Sequence, residues 1–303
     1  MKSKKFAALL QKNGKFLCFV WFFSRLFVAR RLRRLLFFAR TLASPNLLCL
    51  GKVQINLAFL STFRNFAGIK ADNMKIGIIV AMDKELRQLQ KLFSSEQVRV
   101  EKCGIGKVNA ALGAQRMINE FQPDVIISSG CAGGHGEDIR IQDVVVSTEL
   151  SYHDVYCGTA IDNTTVYGQV QGCPARFPAD PELLHIATNL QLPTSNHQLQ
   201  IHPGLIVTGD WFVDSKEKMR DIIGKFPEAK AVDMESAAIA HTCYLNKVRF
   251  ISFRVISDLP LEDTDASMYH DFWNQIADNS FQVTQTFVNS LLSSSLTDNE
   301  TAL

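Results

Sequence analysis

The most constraining feature of this chain is a junction, Ala231-Val232-Asp233-Met234-Glu235-Ser236-Ala237-Ala238. There an apolar strand gives way to a small-residue helix, with two carboxylates around a methionine. Small side chains let a helix and a ligand approach closely, so such a junction can hold a carboxylate at a pocket floor. A second apolar run, 250–256, ends in Ser257-Asp258. Open α/β sheets bind ligands outside the carboxyl ends of their strands, so both sets of acids fall where that fold does its chemistry.

The same punctuation recurs along the chain. The run 75–81 reads as a buried strand, and Leu86, Leu89 and Phe93 follow at helical spacing. Gly104-Ile105-Gly106 opens a helix expected to carry Val108, Ala111, Leu112, Ile118 and Phe121 on its apolar side. Pro123-Asp124 ends that helix. A strand over 125–127 then runs into Gly130-Cys131-Ala132-Gly133-Gly134. Further strands are expected at 143–146 and 204–208, the second stopped by Gly209-Asp210, with a long loop rich in Gly, Pro and Thr between them. A helix is expected around 215–225, and a final one from about 268, where Phe272, Ile276, Val283, Phe287 and Leu291 keep helical intervals. Alternating strands and helices around a largely buried sheet make an α/β layered domain. Segments 82–85, 130–134, 209–213 and 257–258 lie just past strand ends, and Glu235 joins them from a helix start. One ligand crevice is therefore expected.

Charge divides the chain into two unlike parts. Residues 1–73 hold 14 Lys and Arg against the single acid Asp72, a balance of +13; the remaining 18 basic and 29 acidic residues give −11. The second part, of some 230 residues, is long enough for one α/β domain with a sizeable core. The leader is rich in Phe and Arg. Its apolar run 16–24 is stopped by Arg25, far short of the roughly 20 residues a membrane helix needs. It lacks a clear small-residue cleavage site for a signal peptide, and its Arg-rich, acid-poor character fits an organelle transit peptide better. The plainest expectation is a non-native or unstructured leader, with Met74 as the working start and 74–303 as the folded domain. A basic segment could also touch nucleic acid or anionic membrane; no nucleic-acid partner and no stable membrane insertion are expected. Seven scattered cysteines form no Cys-x-x-Cys and no zinc-ligand spacing with histidine. That argues for a reducing compartment, hence a cytoplasmic location with organelle targeting left open, and against a structural metal.

Taken one at a time, the candidate residues are ambiguous. Glu85 sits in a helical first turn, where acids commonly serve the helix N-terminus. Glu235 is open to the same reading, and Asp258 to that of a turn acid. Phe212 could stack on a ring or pack in the core. Cys131 could be a nucleophile, although Gly-rich turns select small residues anyway. His153-Asp154 is expected to make only loop hydrogen bonds. Gly104-x-Gly106 has no acid at the distance that would complete a dinucleotide fingerprint.

Together these residues are specific. Segments 74–86, 103–113, 124–134, 152–154, 172–180, 204–213, 231–241 and 254–258 closely resemble, in order, the methylthioadenosine/S-adenosylhomocysteine nucleosidases of the nucleoside phosphorylase superfamily. The resemblance runs from Met74 to about Ser290 and leaves 1–73 without a counterpart. It implies a three-layer α/β/α sandwich with a central mixed sheet, a homodimer, and hydrolysis of the N-glycosidic bond of 5′-thioadenosine nucleosides with no metal or redox cofactor. It implies that Asp258 protonates adenine N7 and that Glu85 orients and activates water. Glu235 and the backbone of Met234 would hold the ribose hydroxyls. Phe212 would stack on adenine, and the backbone of Val213 would read its edge. Met82, Ile105 and Tyr269 would line the groove for the 5′-thio substituent, while Arg254 and Ser257 support the carboxylates and water.

Two departures stand out. The stretch between Met82 and Gly104 is shorter than in typical relatives by about a strand pair, which bears on the sheet edge and the 5′ groove. Cys131 stands where the family commonly has Ser, and a thiol is the weaker hydrogen-bond partner. The competing readings are a nucleoside phosphorylase of the same fold and a catalytically silent relative that binds nucleosides.

Overall fold

The computed structural model describes residues 74–158, 164–191, 199–262, 267–276 and 281–297. The leader expected at 1–73 lies outside them. The first strand, β1 (Ile76–Val80), is buried at every position and pairs in parallel on both sides, with β2 (Val98–Lys102) and β3 (Val125–Gly134). A strand enclosed this way has no solvent face, which is why its sequence is an unbroken apolar run. Between β1 and β2 lies α1 (Asp83–Gln90). The stretch expected to be short thus forms one βαβ unit, and β2 supplies the sheet edge.

Next come α2 (Lys107–Phe121), then β3, β4 (Val144–Tyr152), β5 (Phe177–Pro178) and α3 (Pro181–Thr188). After them follow β6 (Ile201–Thr208), α4 (Lys216–Lys225), β7 (Ala229–Asp233), α5 (Ser236–Asn246) and β8 (Arg249–Asp258). The mixed eight-stranded sheet runs β2-β1-β3-β7-β6-β4-β5, and β8 pairs with both β3 and β4. Because β3 pairs with β8 along most of its length and with β7 only at Gly133 and Gly134, five strands close on themselves in the order β3-β8-β4-β6-β7. A register shift at Ala132/Gly133 lets β3 turn from one neighbour to the other.

Helices cover both faces. On one, Leu89 of α1, Leu183 of α3 and Phe272, Phe281 and Phe287 near the C-terminus pack on β1, β3, β4 and β8. On the other, α2 and α5 bring chiefly small residues, Ala110, Ala114, Ala237, Ala238 and Ala240, against the sheet. A third cluster joins α4 to β6 and β7.

Several boundaries differ from expectation. Gly130–Gly134 belong to β3 rather than to a loop beyond it, and Ser257 and Asp258 complete β8. The long loop before β6 contains α3, whose start was legible: Asp180 accepts from the amides of Glu182 and Leu183, and Pro181 occupies the first turn. The single final helix is broken into α6 (Ser267–Asp271), a π-helical turn (Phe272–Ile276) and α7 (Gln282–Thr297). The larger correction concerns α2. Its buried residues are Ala110, Gly113, Ala114 and Met117, whereas Val108 and Leu112 are 70 % and 65 % exposed. The helix sits so close to its neighbours that a Cβ on Gly113 would lie 2.4 Å from the Cβ of Cys103. Only small residues fit the inner face in the first two turns, so Val108 and Leu112 point outward, whereas Met117 is buried further along and Ile118 and Phe121 pack partly buried on the core as expected.

Candidate active site

The carboxyl ends of β1, β3, β6, β7 and β8 meet at one cleft of about 620 Å³, counted to its open mouth. Four acids line it, Glu85, Asp233, Glu235 and Asp258, together with the rings of Phe212 and Tyr269.

Glu85 is 2 % exposed. Its Oε2 accepts from the amides of Ala81 and Met82, both at 2.9 Å, and its Oε1 from the amide of Cys131 at 3.0 Å. The bond from Met82 is the helix-serving role expected of an acid in a first turn. The bond from Cys131 is not, because it ties α1 across the sheet to β3. A Cβ on Gly130 would lie 2.7 Å from Oε1, so glycine is what lets the carboxylate reach that strand. Burial raises the Glu85 pKa above the ordinary carboxylate value, opposed by Arg254 and the three amides. The result is a fixed carboxylate of enhanced basicity.

Glu235 lies where β7 hands over to α5, and its Oε1 accepts from the amide of Gly106 at 2.9 Å. Burial, with Asp233 nearby, pushes its pKa up to about 8, against the pull of Arg254. Asp233 is the better-compensated acid of the pair. Arg254 Nε donates to it at 2.6 Å, and it also accepts from the Thr208 hydroxyl and the Ser236 amide. Arg254 is itself buried and donates through Nη2 to the Ser128 hydroxyl at 2.7 Å. It stands behind the cleft wall and does not line the cleft; its reach to the site is through Asp233 and its field at Glu85.

Asp258 ends β8 and accepts from the Ser257 hydroxyl at 2.6 Å. Opposite, Phe212 and Tyr269 meet edge to face at 5.2 Å between centroids, and the Tyr269 hydroxyl donates to the sulfur of Met82 at 3.6 Å. Ile105, half-exposed, completes that apolar end. Val213, Met234, Ser257 and Cys131 also line the cleft. Burial holds the Cys131 thiol protonated, its pKa well above the ordinary value. Such a group is a poor nucleophile.

Every residue proposed from sequence for direct contact therefore reaches one cleft, with Arg254 behind it. Asp233, which the sequence placed at the junction without assigning it a role, also lines the cleft, as does Trp211, which sequence reasoning missed. Asp233 carried a legible signal, an acid ending an apolar strand. Of the pair His153-Asp154, only the aspartate makes side-chain hydrogen bonds within the protein, to Lys107 and to the Asp210 amide. Among the described residues no three His, Cys, Asp or Glu side chains are grouped so as to hold a metal ion.

Comparison with known proteins agrees with this geometry. Residues 75–292 match the model of the phosphorylase superfamily. A 5′-methylthioadenosine/S-adenosylhomocysteine nucleosidase of an Exiguobacterium strain is 39 % identical over 227 residues, covering 68 % of this chain and 94 % of that protein. Two crystal structures of such nucleosidases are similar in fold. That from Colwellia psychrerythraea, in complex with adenine, has a TM-score of 0.65 and 30 % identity, covering 72 % of this chain and 96 % of its own. That from Neisseria meningitidis, in complex with methylthio-immucillin-A, has a TM-score of 0.64 and 35 % identity, covering 71 % and 99 %. With four acids and an aromatic wall at one cleft, and relatives this similar over nearly their whole length, the chain belongs to the phosphorylase superfamily and, within it, to the 5′-methylthioadenosine/S-adenosylhomocysteine nucleosidases.

Proposed function

We propose that the chain hydrolyses the N-glycosidic bond of 5′-methylthioadenosine and S-adenosylhomocysteine, releasing adenine and the 5-thioribose product. The observation that carries the reading is the meeting of Glu85, Glu235 and Asp258 at one cleft beside Phe212 and Tyr269. Adenine leaves poorly as an anion, so a positioned acid must protonate it as the C1′–N9 bond breaks. Asp258 is assigned that proton transfer, to N7. The ribosyl group becomes oxocarbenium-like, and water adds to C1′ from the opposite face. Glu85 is assigned the proton from that water. Its three amide donors fix its orientation, and its raised pKa makes it the stronger base near neutrality.

The remaining assignments follow from position. Glu235, held through one oxygen by Gly106, has its other for a ribose hydroxyl, with the backbone of Met234 beside it. Phe212 is placed to stack on adenine and the backbone of Val213 to read its edge. Met82, Ile105 and Tyr269 form the end suited to a 5′-thio group. Cys131 supplies its amide to Glu85 and lines the cleft with its side chain. Ser257 steadies Asp258, and Arg254 steadies Asp233.

Phosphorolysis fits less well. A phosphate nucleophile needs a cation facing it, whereas Arg254 is committed to Asp233, and Glu85 takes the Cys131 amide beside it. Product analysis tests the reading. Methylthioadenosine should yield free methylthioribose and adenine without phosphate. Methylthioribose-1-phosphate formed only with phosphate would overturn it, as would binding without turnover.

We also infer that the enzyme is a homodimer built on α2 and α5. Val108 and Leu112 on α2 and Tyr244 and Leu245 on α5 are at least half-exposed, and Gln115 and Asn246 hydrogen-bond the two helices together beside them. Large exposed apolar groups clustered in this way mark an interaction face. The face continues to Ile105 at the cleft, so a second copy would border the 5′ end of the site. Residues 74–303 are taken as the working unit and 1–73 as dispensable. A chain starting at Met74 should keep full kcat/KM and thermal stability, and a large loss of either would show the leader to be a working part. A cytoplasmic location goes with this reading and with the five free cysteines among the described residues; cell fractionation checks it.

A further inference from the structure

The N-terminus of α2 is capped in an unusual way. Gly106 offers no side chain, and no residue of the preceding turn replaces it. First-turn amides have no partner inside their own helix. Here two of them are taken by carboxylates from distant parts of the chain. The Gly106 amide donates to Glu235 Oε1 at 2.9 Å and the Lys107 amide to Asp210 Oδ1 at 2.7 Å. Glu235 is the group assigned to the ribose. Asp210 does not line the cleft, but it lies two residues before Phe212, the group assigned to the purine.

Asp210 is itself held by a closed set of contacts. Its amide donates to Asp154 Oδ2 at 2.8 Å, and Lys107 Nζ lies 2.7 Å from each oxygen of Asp154 and 3.7 Å from Asp210 Oδ2. The approach is tight. Gly106 has φ +92°, and a Cβ there would lie 2.9 Å from Asp210 Oδ1. A left-handed glycine is therefore needed both for the turn and for the contact.

We propose that Asp210, braced by Lys107 and Asp154, is a positioning residue that fixes the purine-stacking loop and the ribose-binding Glu235 to one reference, the start of α2. The proposal rests on the nucleosidase reading. One end of the ligand is gripped by the loop 209–213 and the other by Glu235; the two grips share no covalent segment, and the adjacent amides of Gly106 and Lys107 connect them directly. A charge-assisted bond between an aspartate and a backbone amide is short and directional; its loss leaves the two grips joined only at their roots, where the Gly209 amide donates to the Asp233 carbonyl at 3.1 Å and β6 pairs with β7, and lets their outer parts shift. Such a shift weakens binding of a ligand that needs both before it alters the reacting carboxylates, which are held by other bonds.

The test compares Asp210→Ala, Asp210→Asn and Lys107→Met with the wild-type chain, using methylthioadenosine turnover, thermal midpoint and adenine titration followed by tryptophan fluorescence, since Trp211 lies in the loop and lines the cleft. Asp210→Ala should lower kcat/KM roughly tenfold or more, mostly through KM, with weaker adenine binding and a thermal midpoint within a few degrees of wild type. Asp210→Asn keeps an oxygen for the Lys107 amide and should recover most of that loss. Lys107→Met keeps the amide and loses the brace, so its KM should rise by a smaller factor. If Asp210→Ala does not fold, the KM effect of Lys107→Met and the retention in Asp210→Asn decide the matter. An Asp210→Ala enzyme with KM and adenine affinity within twofold of wild type overturns the proposal. So does an Asp210→Asn enzyme as impaired as the alanine variant, or a Lys107→Met KM equal to wild type. A wild-type chain that releases no adenine would instead sink the nucleosidase reading, and the adenine titration would still report on the loop.

Discussion

The two faces of the sheet are filled by different means. Beneath α1, α3 and α7 the space is taken by large side chains, with Phe253 against Phe287 at 4.8 Å between centroids and Phe272, Phe281 and Leu291 around them. Beneath α2 and α5 the helices contribute mostly alanines, with Met117 and Ile239, and the larger side chains, such as Ile126, Ile206 and Phe250, come from the strands. The aromatic face gains stability from area removed from water. The alanine face gains proximity: both of its helices begin at the cleft, and Glu235 and the first amides of α2 come together there because the helices lie low on the strands. One face supports the site, and the other forms part of it.

That contrast can be broken at several points. The largest effect is expected at the strand ends between the faces. Asp258→Asn should cut kcat by about 10²–10⁴-fold with the thermal midpoint little changed, and Glu85→Gln should behave similarly while keeping substrate affinity. An Asp258→Asn enzyme of near-normal kcat would remove the acid from its assigned role. On the aromatic face, Phe287→Ala should cost about 3–5 kcal/mol of stability, read by denaturant unfolding, with KM near normal in the fraction that stays folded. On the alanine face, Gly113→Val overfills a space already closed by Cys103. It should cost about 1–3 kcal/mol and also raise KM, because α2 must lift. Equal KM values for these two variants would erase the distinction between the faces.

Two smaller effects sharpen it. Leu112→Asp lies on the outer side of α2 and should change monomer stability by no more than about 0.5 kcal/mol, yet convert a dimer to a monomer in sedimentation. A wild-type monomer would refute the interface. The last concerns pH. Glu235 has its folded pKa raised from 4.5 to about 8 by burial. Between those values the unfolded chain has already lost a proton that the folded chain keeps, so the stabilisation present below the unfolded pKa drains away as pH rises towards the folded one. Glu235→Gln removes this term. Its thermal midpoint relative to wild type should therefore climb from pH 5 to pH 8, and a constant difference would contradict the raised pKa.

Much of this was legible in the residues. Six of the eight strands, the junction at Asp233 and Glu235 and the terminal Asp258 follow from apolar runs interrupted by acids and glycine. The orientation of α2 was not. Periodicity finds an apolar stripe but cannot tell whether that stripe meets the core or a second molecule, and the stripe that does meet the core, Ala110-Gly113-Ala114, carries little hydrophobic signal. The edge strand Val98–Lys102 alternates charge and valine in a run too short to stand out. The break at Phe272–Ile276 keeps the aromatic spacing of a continuous helix, so spacing alone hides it. The contact of Asp210 with Lys107 joins residues 103 positions apart, and nothing local announces it.

The five-strand closure has a consequence for how the molecule is made. The strand between β3 and β4 is β8, the last of the sheet, separated from β3 by more than a hundred residues of chain. On a ribosome, Glu85, the Gly-rich end of β3 and the junction at Glu235 are all synthesised before the segment that carries Asp258 can pair. Until then β3 and β4 each lack a neighbour, and long-range pairing of this kind closes slowly. A nascent chain halted before Arg249 would present two open β-edges and most of the groups that line the cleft, but not Asp258, the proposed proton donor. The last strand to arrive is also the one that brings the acid, so completing the sheet and arming the enzyme are a single event.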